Sequence, residues 1–182
     1  MEEKIKVLIS EEEIQKRLYE LAEQLDKEYE GKEVTVVCVM RGGVFFTVDL
    51  TLKMKTKLKY EFLTIASYEG TESTGEIKLL EDLREPIEGK DVLILEDIVD
   101  SGRSMTFLLN YLKSKNPASL KVCTLADKAS RREFNVPLDH VGFIVPDKFV
   151  IGYGFDVDSK YRNLPYIGYI ETWHWKIIAI AM

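Results

Sequence analysis

Three short, largely apolar runs constrain the fold more than any other feature of this sequence. They are Val34–Met40, Asp91–Leu95 and Leu120–Ala126, and the first of them is rich in β-branched residues. None of them alternates between apolar and polar residues as a strand with one solvent-facing side does. Runs of this kind predict strands that are covered on both faces, as the strands of parallel sheets are.

Segments with helical spacing separate these runs. Ser10 and Glu13 form a capping-box pattern, and apolar residues then recur at helical spacing until Gly31. A second helix is predicted from about Val44 to Lys55, and a third runs from Gly102 to the breaker at Asn116. Strand, helix and strand in this order predict right-handed crossovers. The predicted fold class is therefore α/β, with a mainly parallel, twisted sheet flanked by helices.

The length of 182 residues suits one domain rather than two. After Pro137 the pattern changes to short strands and turns with many aromatic residues. We expect a single domain over 1–182, with a core at about 30–135. The segments at about 1–10 and 136–182 are expected to form a small hood subdomain packed over the sheet.

Composition excludes several classes of function. Lys and Arg number 25 against 31 Asp and Glu, a net charge of −6, which disfavours nucleic acid or an anionic membrane surface as partner. No apolar run approaches the ~20 residues of a membrane span. The start of the chain lacks the pattern of a secretory signal, and Cys38 and Cys123 stand in apolar runs typical of buried thiols, so we expect a cytoplasmic protein without disulfides.

The chemistry concentrates between Val92 and Met105. An apolar strand leads to Glu96 and Asp97, and the small polar segment 100–104 then opens a helix. Hydroxyls and unsatisfied N–H groups at a helix N-terminus favour a phosphate. Glu96 and Asp97 are expected to project to opposite sides of the strand, where they could bind sugar hydroxyls or Mg²⁺, or could simply end the strand in solvated charges.

The run Leu93–Met105 closely resembles the 5-phosphoribosyl 1-pyrophosphate (PRPP) signature of the type I phosphoribosyltransferases. Further segments narrow the resemblance to the hypoxanthine-guanine phosphoribosyltransferases, and to their bacterial short forms in particular. These segments are Met40–Gly43, Ser67–Gly75, Asp127–Lys128, Pro146–Asp156 and Lys160–Pro165. Together with the signature they span about residues 34–170, so the resemblance covers most of the chain.

The resemblance implies the type I phosphoribosyltransferase fold and an enzyme of purine salvage. Such an enzyme transfers the phosphoribosyl group from PRPP to hypoxanthine, and to guanine, giving IMP or GMP and pyrophosphate with Mg²⁺ as cofactor. Its partners are these small molecules and further copies of itself in a homodimer or homotetramer. Alternatives of the same fold are a PRPP-binding regulator without turnover and a transferase for another base, such as xanthine, adenine or orotate.

The resemblance also implies roles for single residues. Asp100 exchanges a proton with the purine ring, and Arg162 contacts the leaving pyrophosphate together with the loop Arg41, Gly42 and Gly43, where the family commonly has a lysine instead of Arg41. A cis peptide is expected at Met40–Arg41. The ribose and its 5′-phosphate are assigned to Glu96, Asp97, Asp100, Ser101, Gly102, Arg103 and Ser104.

The purine and the metal account for the remaining assignments. Lys128 reads the six-position oxygen of the purine, Phe149 stacks on the base, and the carbonyls of Val150 and Asp156 lie where a guanine amine would be read. The implied Mg²⁺ ligands are Glu96, Asp97 and Asp156. Ser67 and Tyr68 belong to a flexible lid loop that excludes water from the reacting sugar.

The end of the chain departs from the family. The segment around Trp173-His174-Trp175 is unlike the expected bacterial tail, which leaves base preference and subunit contacts open. His174 is interpreted as part of an alternating strand, and His140 as structural.

Overall fold

The structure, a computed structural model, describes residues 4–68 and 76–171. In chain order its elements are β1 (Ile5–Ile9), α1 (Glu11–Glu28), β2 (Glu33–Met40), α2 (Gly43–Thr51), β3 (Lys57–Tyr68), β4 (Glu76–Glu81), β5 (Asp91–Val99), α3 (Arg103–Lys113), β6 (Ser119–Asp127), a 3₁₀ turn (Ala129–Arg131), β7 (His140–Ile144), β8 (Val150–Ile151) and β9 (Ile167–Ile170).

The larger sheet has six strands in the spatial order β4-β3-β2-β5-β6-β7. Neighbouring strands among β3, β2, β5, β6 and β7 pair in parallel, and only the edge strand β4 is antiparallel. Residues 34–39 of β2 are buried without interruption, as the apolar run predicts. The expected α/β class with a mainly parallel sheet is confirmed.

Helices cover both faces of this sheet. Phe46 and Leu50 of α2 pack with α1 on one face, against the β2 and β5 side chains that point that way. Met105 and Leu108 of α3 pack on the other face. Because β2 leads through α2 to β3 on one side and β5 leads through α3 to β6 on the other, the strand order reverses between β2 and β5. In such sheets, ligands bind outside the carboxyl ends of the strands at this point.

A second, three-stranded sheet unites the two ends of the described chain. Its order is β1-β9-β8, and all its pairs are antiparallel. The expected hood of N- and C-terminal segments is therefore present. The main sheet also continues beyond the expected core boundary near residue 135, because β7 pairs with β6. His174 and its tryptophan neighbours lie outside the described residues.

Two element boundaries differ from the predicted ones for local reasons. The second helix ends at Thr51 rather than near Lys55, since the Asp26 carboxylate accepts hydrogen bonds from the N–H groups of Lys55 and Thr56 at 2.9 Å and fixes them as a loop. The strand after Asp91 continues to Val99 rather than ending at Leu95, because β6 pairs with it that far.

Several smaller predictions can be checked directly. The capping box of α1 is formed, with Ser10 N–H donating to Glu13 Oε2 at 2.8 Å. Cys38 and Cys123 are free and buried, and burial raises the pKa of each thiol. His140 has a structural contact, with Nε2 2.7 Å from Glu28 Oε2. Within the described residues, no helix combines the length and apolarity needed to cross a membrane.

Candidate active site

Most of the predicted site residues gather at one edge of the main sheet. Residues 41–43 follow β2, residues 96–104 end β5 and open α3, Lys128 follows β6, and residues 146–150 follow β7. These strands are neighbours and run in parallel, so their carboxyl ends meet. Segments that are up to about a hundred residues apart in the chain therefore share one crevice.

The loop Arg41–Gly43 packs too closely against its surroundings to tolerate a side chain at Gly42. A Cβ there would lie 1.6 Å from Asp97 Oδ2. On another side, a Cβ at Gly154 would lie 2.3 Å from the Gly42 carbonyl oxygen. The Met40–Arg41 peptide is cis, as the resemblance implies, and Arg41 is exposed. Backbone of this loop is thus wedged between Asp97 and the segment at Gly154.

Glu96 and Asp97 interact with one another, so the expectation that they project to opposite sides is wrong for their carboxyl groups. The Asp97 N–H donates to Glu96 Oε1 at 3.2 Å, and the Ile98 N–H donates to Asp97 Oδ1 at 2.7 Å. Burial, and next the neighbouring Asp97 carboxyl, raises the pKa of Glu96 well above its ordinary value. Burial also raises the pKa of Asp97, against the opposing effects of hydrogen bonds with the Glu96 side chain and the Ile98 N–H and, after these, of the Arg162 guanidinium. Two crowded acids of this kind favour a bound cation.

The turn before α3 leaves the start of that helix without a side-chain cap. Gly102 is its N-cap, with φ 87°, and makes no side-chain capping hydrogen bond. A Cβ at Gly102 would lie 2.5 Å from the Phe134 carbonyl oxygen, so both backbone conformation and space require glycine there. The Ser101 hydroxyl accepts from the Arg103 N–H at 3.4 Å, and Ser104 stands in the first turn. The predicted phosphate site is therefore a helix N-terminus bordered by two hydroxyls.

Asp100 lies between two cations. Lys128 Nζ is 3.4 Å from its Oδ2, and Arg131 Nε is 3.3 Å from its Oδ1. Lys128 is only 6% exposed, so its ammonium depends on this partner. Oδ1 of Asp100 is buried and accepts no hydrogen bond from the residues that the structure describes. It is the kind of acceptor that a ligand N–H would satisfy.

Arg162 and Asp156 form an ion pair in the segment that closes the crevice. Arg162 Nη2 lies 2.6 Å from Asp156 Oδ1, and Arg162 Nη1 donates to the Gly154 carbonyl. The other carboxylate oxygen of Asp156 accepts from the Ser159 N–H at 2.8 Å. Since Gly154 also abuts Gly42, this segment brings Arg162 to the side of the crevice that holds the Arg41–Gly43 loop.

The remaining predicted site residues are those assigned to the purine and to the lid loop. Phe149 is 43% exposed just before β8, whereas Val150 is buried within it. The backbone of Ser67 and Tyr68 ends β3. Their side chains and residues 69–75 lie outside the described residues, so the predicted lid stays a prediction.

The acidic residues fit a magnesium site that substrate completes. Among the described residues, no three His, Cys, Asp or Glu side chains gather into a cage, and Asp156 stands apart from the Glu96–Asp97 pair. Mg²⁺ prefers oxygen ligands and usually takes one or two carboxylates together with water and substrate phosphates. The pair and the single carboxylate both suit that mode of binding.

Two contacts near the site were not predicted from the sequence. Arg131 joins Asp100 to Asp147, with Nη1 3.6 Å from Asp147 Oδ1. Tyr153, with φ 50°, stands between two glycines at positive φ and donates its hydroxyl to Asp49 Oδ2 on α2 at 2.7 Å. The only available signal for Arg131 was the cluster of basic residues after β6. Nothing in the sequence indicates the tyrosine contact.

Comparison with known proteins gives a consistent result. The family model for the phosphoribosyl transferase domain matches residues 9–160. The hypoxanthine-guanine-xanthine phosphoribosyltransferase of Tritrichomonas foetus is 45% identical over 94% of each chain. The hypoxanthine phosphoribosyltransferase of Escherichia coli strain K12 is 44% identical over 92% of this chain and 96% of that protein.

Solved structures agree with the sequence relatives. A hypoxanthine-guanine phosphoribosyltransferase from Bacillus anthracis, with HEPES in the active site, has a TM-score of 0.87 and 42% identity. The match covers 93% of this chain and 99% of that one.

Proposed function

The chain belongs to the phosphoribosyltransferase family, and we propose that it is a purine-salvage enzyme that transfers the 5-phosphoribosyl group from PRPP to hypoxanthine and guanine. The products are IMP or GMP and pyrophosphate. Both sequence relatives named above carry hypoxanthine phosphoribosyl transfer in their names, the Tritrichomonas foetus protein carries guanine as well, and both matches cover more than nine-tenths of this chain. The class of enzyme is thus a pentosyl-transferring glycosyltransferase.

The observation that carries the reaction chemistry is the environment of Asp100. Its buried Oδ1 accepts no hydrogen bond from the described residues, while the adjacent Lys128 can donate. A purine ring that places a protonated ring nitrogen at Oδ1 satisfies that acceptor. Asp100 then takes the proton as the opposite ring nitrogen attacks the anomeric carbon.

The anionic parts of PRPP have two separate places in this proposal. The 5′-phosphate lies at the N-terminus of α3 over Ser101–Ser104, and the ribose hydroxyls lie at Glu96 and Asp97. Pyrophosphate lies over the backbone of Arg41–Gly43 with Arg162 beside it. Cationic and N–H groups at the leaving group lower the barrier because negative charge develops there.

The purine is recognised by residues that follow β6 and β7. Lys128 donates to the six-position oxygen of hypoxanthine or guanine. An adenine amine offers hydrogens where this site needs an acceptor, and leaving the buried ammonium unmatched disfavours that base. Phe149 presents an exposed ring for stacking, and the carbonyls of Val150 and Asp156 are assigned to the guanine amine.

Magnesium is the proposed cofactor. Glu96, Asp97 and Asp156 would hold it, with the substrate supplying further oxygen ligands. When bound, the metal supplies positive charge against the pyrophosphate and the ribose oxygens.

A second copy of the chain is the proposed partner, in a homodimer or homotetramer. Helix α2 buries Phe46 and Leu50 in the core, yet Phe45 and Val48 on the helix and Leu52 just after its end are 39%, 49% and 79% exposed. Exposed large apolar side chains grouped in this way are typical of a protein–protein interface. We therefore assign the outward side of α2 to the subunit interface. Light scattering should find a dimer or larger, which Val48→Glu with Leu52→Glu converts to monomer.

The proposed location is the cytoplasm. Two free, buried cysteines are the usual state of thiols in a reducing compartment. No residue of the proposed mechanism depends on a disulfide.

One assay tests the activity. The protein is incubated with Mg²⁺, PRPP and one nucleobase at a time, and nucleoside monophosphate formation is followed. We expect turnover with hypoxanthine and guanine and little with adenine. Binding of PRPP without turnover on any base would instead identify a regulatory protein, and preferred use of adenine or orotate would assign a different transferase.

A further inference from the structure

Arg131 connects three neighbouring strand ends of the candidate active site. It ends the 3₁₀ turn that follows β6. Its Nε lies 3.3 Å from Asp100 Oδ1, after β5, and its Nη1 lies 3.6 Å from Asp147 Oδ1, after β7. A planar guanidinium can face two carboxylates at once because its donors point in different directions.

Both carboxylates border the groups that are assigned to the purine. Asp100 exchanges the proton, and Asp147 stands two residues before the stacking residue Phe149. The residue after β7 is also fixed to the end of β6, because the Val145 N–H donates to the Asp127 carbonyl at 2.9 Å. Beyond Val145, the ion pair with Arg131 ties the segment Pro146–Phe149 back to the catalytic carboxylate.

Asp100 retains a cation when Arg131 is removed. Lys128 Nζ faces the other oxygen of Asp100 at 3.4 Å. The main consequence of losing Arg131 therefore falls on the Asp147 side, where the segment before Phe149 gains freedom to move away from Asp100.

We propose that Arg131 is a positioning residue for the purine, which sets the separation between Asp100 and the Pro146–Phe149 segment. This inference rests on the proposed function. Arg131 contacts Asp100 Oδ1, but Lys128 still faces Asp100 when Arg131 is removed, so Arg131 acts on the purine mainly through Asp147. Its side chain is 52% exposed and that of Asp147 62%, so the ion pair contributes little to folding stability.

The test compares Arg131→Met, Asp147→Asn and the double variant. Arg131→Met should raise KM for hypoxanthine about fivefold, the factor expected for a loss of ~1 kcal/mol. KM for PRPP and the melting temperature should stay near their wild-type values. Asp147→Asn should raise this KM as well, and the double variant should be no worse than Arg131→Met alone, because both changes break the Arg131–Asp147 ion pair.

Two further variants sharpen the result. Arg131→Lys should restore only part of the affinity for hypoxanthine, because one ammonium cannot match the fork that faces both carboxylates. Arg84→Met removes an exposed arginine after β4 and should change neither KM.

Contrary outcomes have separate meanings. An unchanged KM for hypoxanthine in Arg131→Met refutes the proposal, and so does additivity in the double variant. A parallel rise in KM for PRPP would assign Arg131 to phosphate attraction, and a large fall in melting temperature would assign it a structural role. Wild-type turnover is measured in the same assay, so a wild type that makes no nucleotide overturns the proposed function itself.

Discussion

The substitution Gly42→Ala tests how much the position of the Asp97 carboxylate contributes to activity, because it displaces that group directly. Gly42 has φ −61° and ψ −39°, a conformation that alanine adopts without strain, so the substitution acts through space alone. The new Cβ would lie 1.6 Å from Asp97 Oδ2, and real Cβ contacts are essentially never under 3.0 Å. The carboxylate must therefore move by at least the 1.4 Å difference between these two distances.

The surroundings prevent the loop from moving instead. The Gly42 carbonyl already lies so close to Gly154 that a Cβ on Gly154 would be 2.3 Å away. Moving Asp97 breaks the 2.7 Å hydrogen bond that Asp97 Oδ1 accepts from the Ile98 N–H. A hydrogen bond to a charged group contributes about 1.5–3 kcal/mol, which corresponds to a melting temperature lowered by roughly 3–12 °C at this chain length.

Activity should fall further than stability. A misplacement of about 1 Å at a catalytic site can lower the rate on the order of 100-fold. We expect that loss in kcat/KM for PRPP, measured by IMP formation at saturating hypoxanthine. Gly43→Ala, in the same pyrophosphate loop, is the steric comparison and should lose much less activity. Its Cβ would be tight only against the Leu95 carbonyl oxygen at 3.2 Å, with the Asp97 nitrogen at 3.8 Å and Cys38 Sγ at 3.9 Å in ordinary contact, so a shift of a few tenths of an ångström suffices.

A double-mutant cycle identifies the route of the effect. In an Asp97→Ala background the Cβ at position 42 has no carboxylate to displace, so Gly42→Ala should cause no further loss. Full additivity of the two losses, or wild-type kcat/KM in Gly42→Ala alone, would refute the reasoning.

Three other changes test separate parts of the molecule. Asp100→Asn should lower kcat by a factor on the order of 100 or more while PRPP binding by calorimetry persists; unchanged turnover would remove its assigned role. Lys128→Ala should raise KM for 6-oxopurines and weaken discrimination against adenine, and unchanged discrimination would show that another group reads the base. Although burial opposes it, hydrogen bonds from Thr56 and Lys55 hold the pKa of Asp26 below its ordinary value. The stability that this carboxylate contributes is therefore present at pH 7 and lost as pH falls through the lowered pKa. Asp26→Asn should lower the melting temperature at pH 7 and much less at pH 2, and an equal loss at both would contradict that.

The sequence predicted the sheet well because burial on both faces leaves a pattern that local reading can detect. Residues 34–39 of β2 are buried and, apart from Thr35, apolar, since side chains pack on both faces of the strand, and α1 carries its own capping box. The extent of β5 was harder to predict. Glu96 and Asp97 look like the end of a strand, but pairing with β6 extends it to Val99. That partner is distant in the chain, so local pattern underestimates the strand.

Gly102 shows a second limit of the motif. The resemblance assigns this glycine only to the ribose and its 5′-phosphate. The structure adds a left-handed backbone and the Phe134 carbonyl at the position of a Cβ, two constraints from within the protein. A motif match identifies such a position without distinguishing a requirement of folding from one of binding.

The contacts of Arg131 show what motifs leave out. Asp100, Arg131 and Asp147 follow three different strands, and their proximity depends on β5, β6 and β7 being neighbours in that order. Hydrophobic periodicity predicts that these strands exist but not which ones are adjacent. A residue that binds substrate belongs to a local motif, because the ligand requires its neighbours in a set arrangement. A residue that joins strand ends has no such local constraint, so strand order is needed to find it.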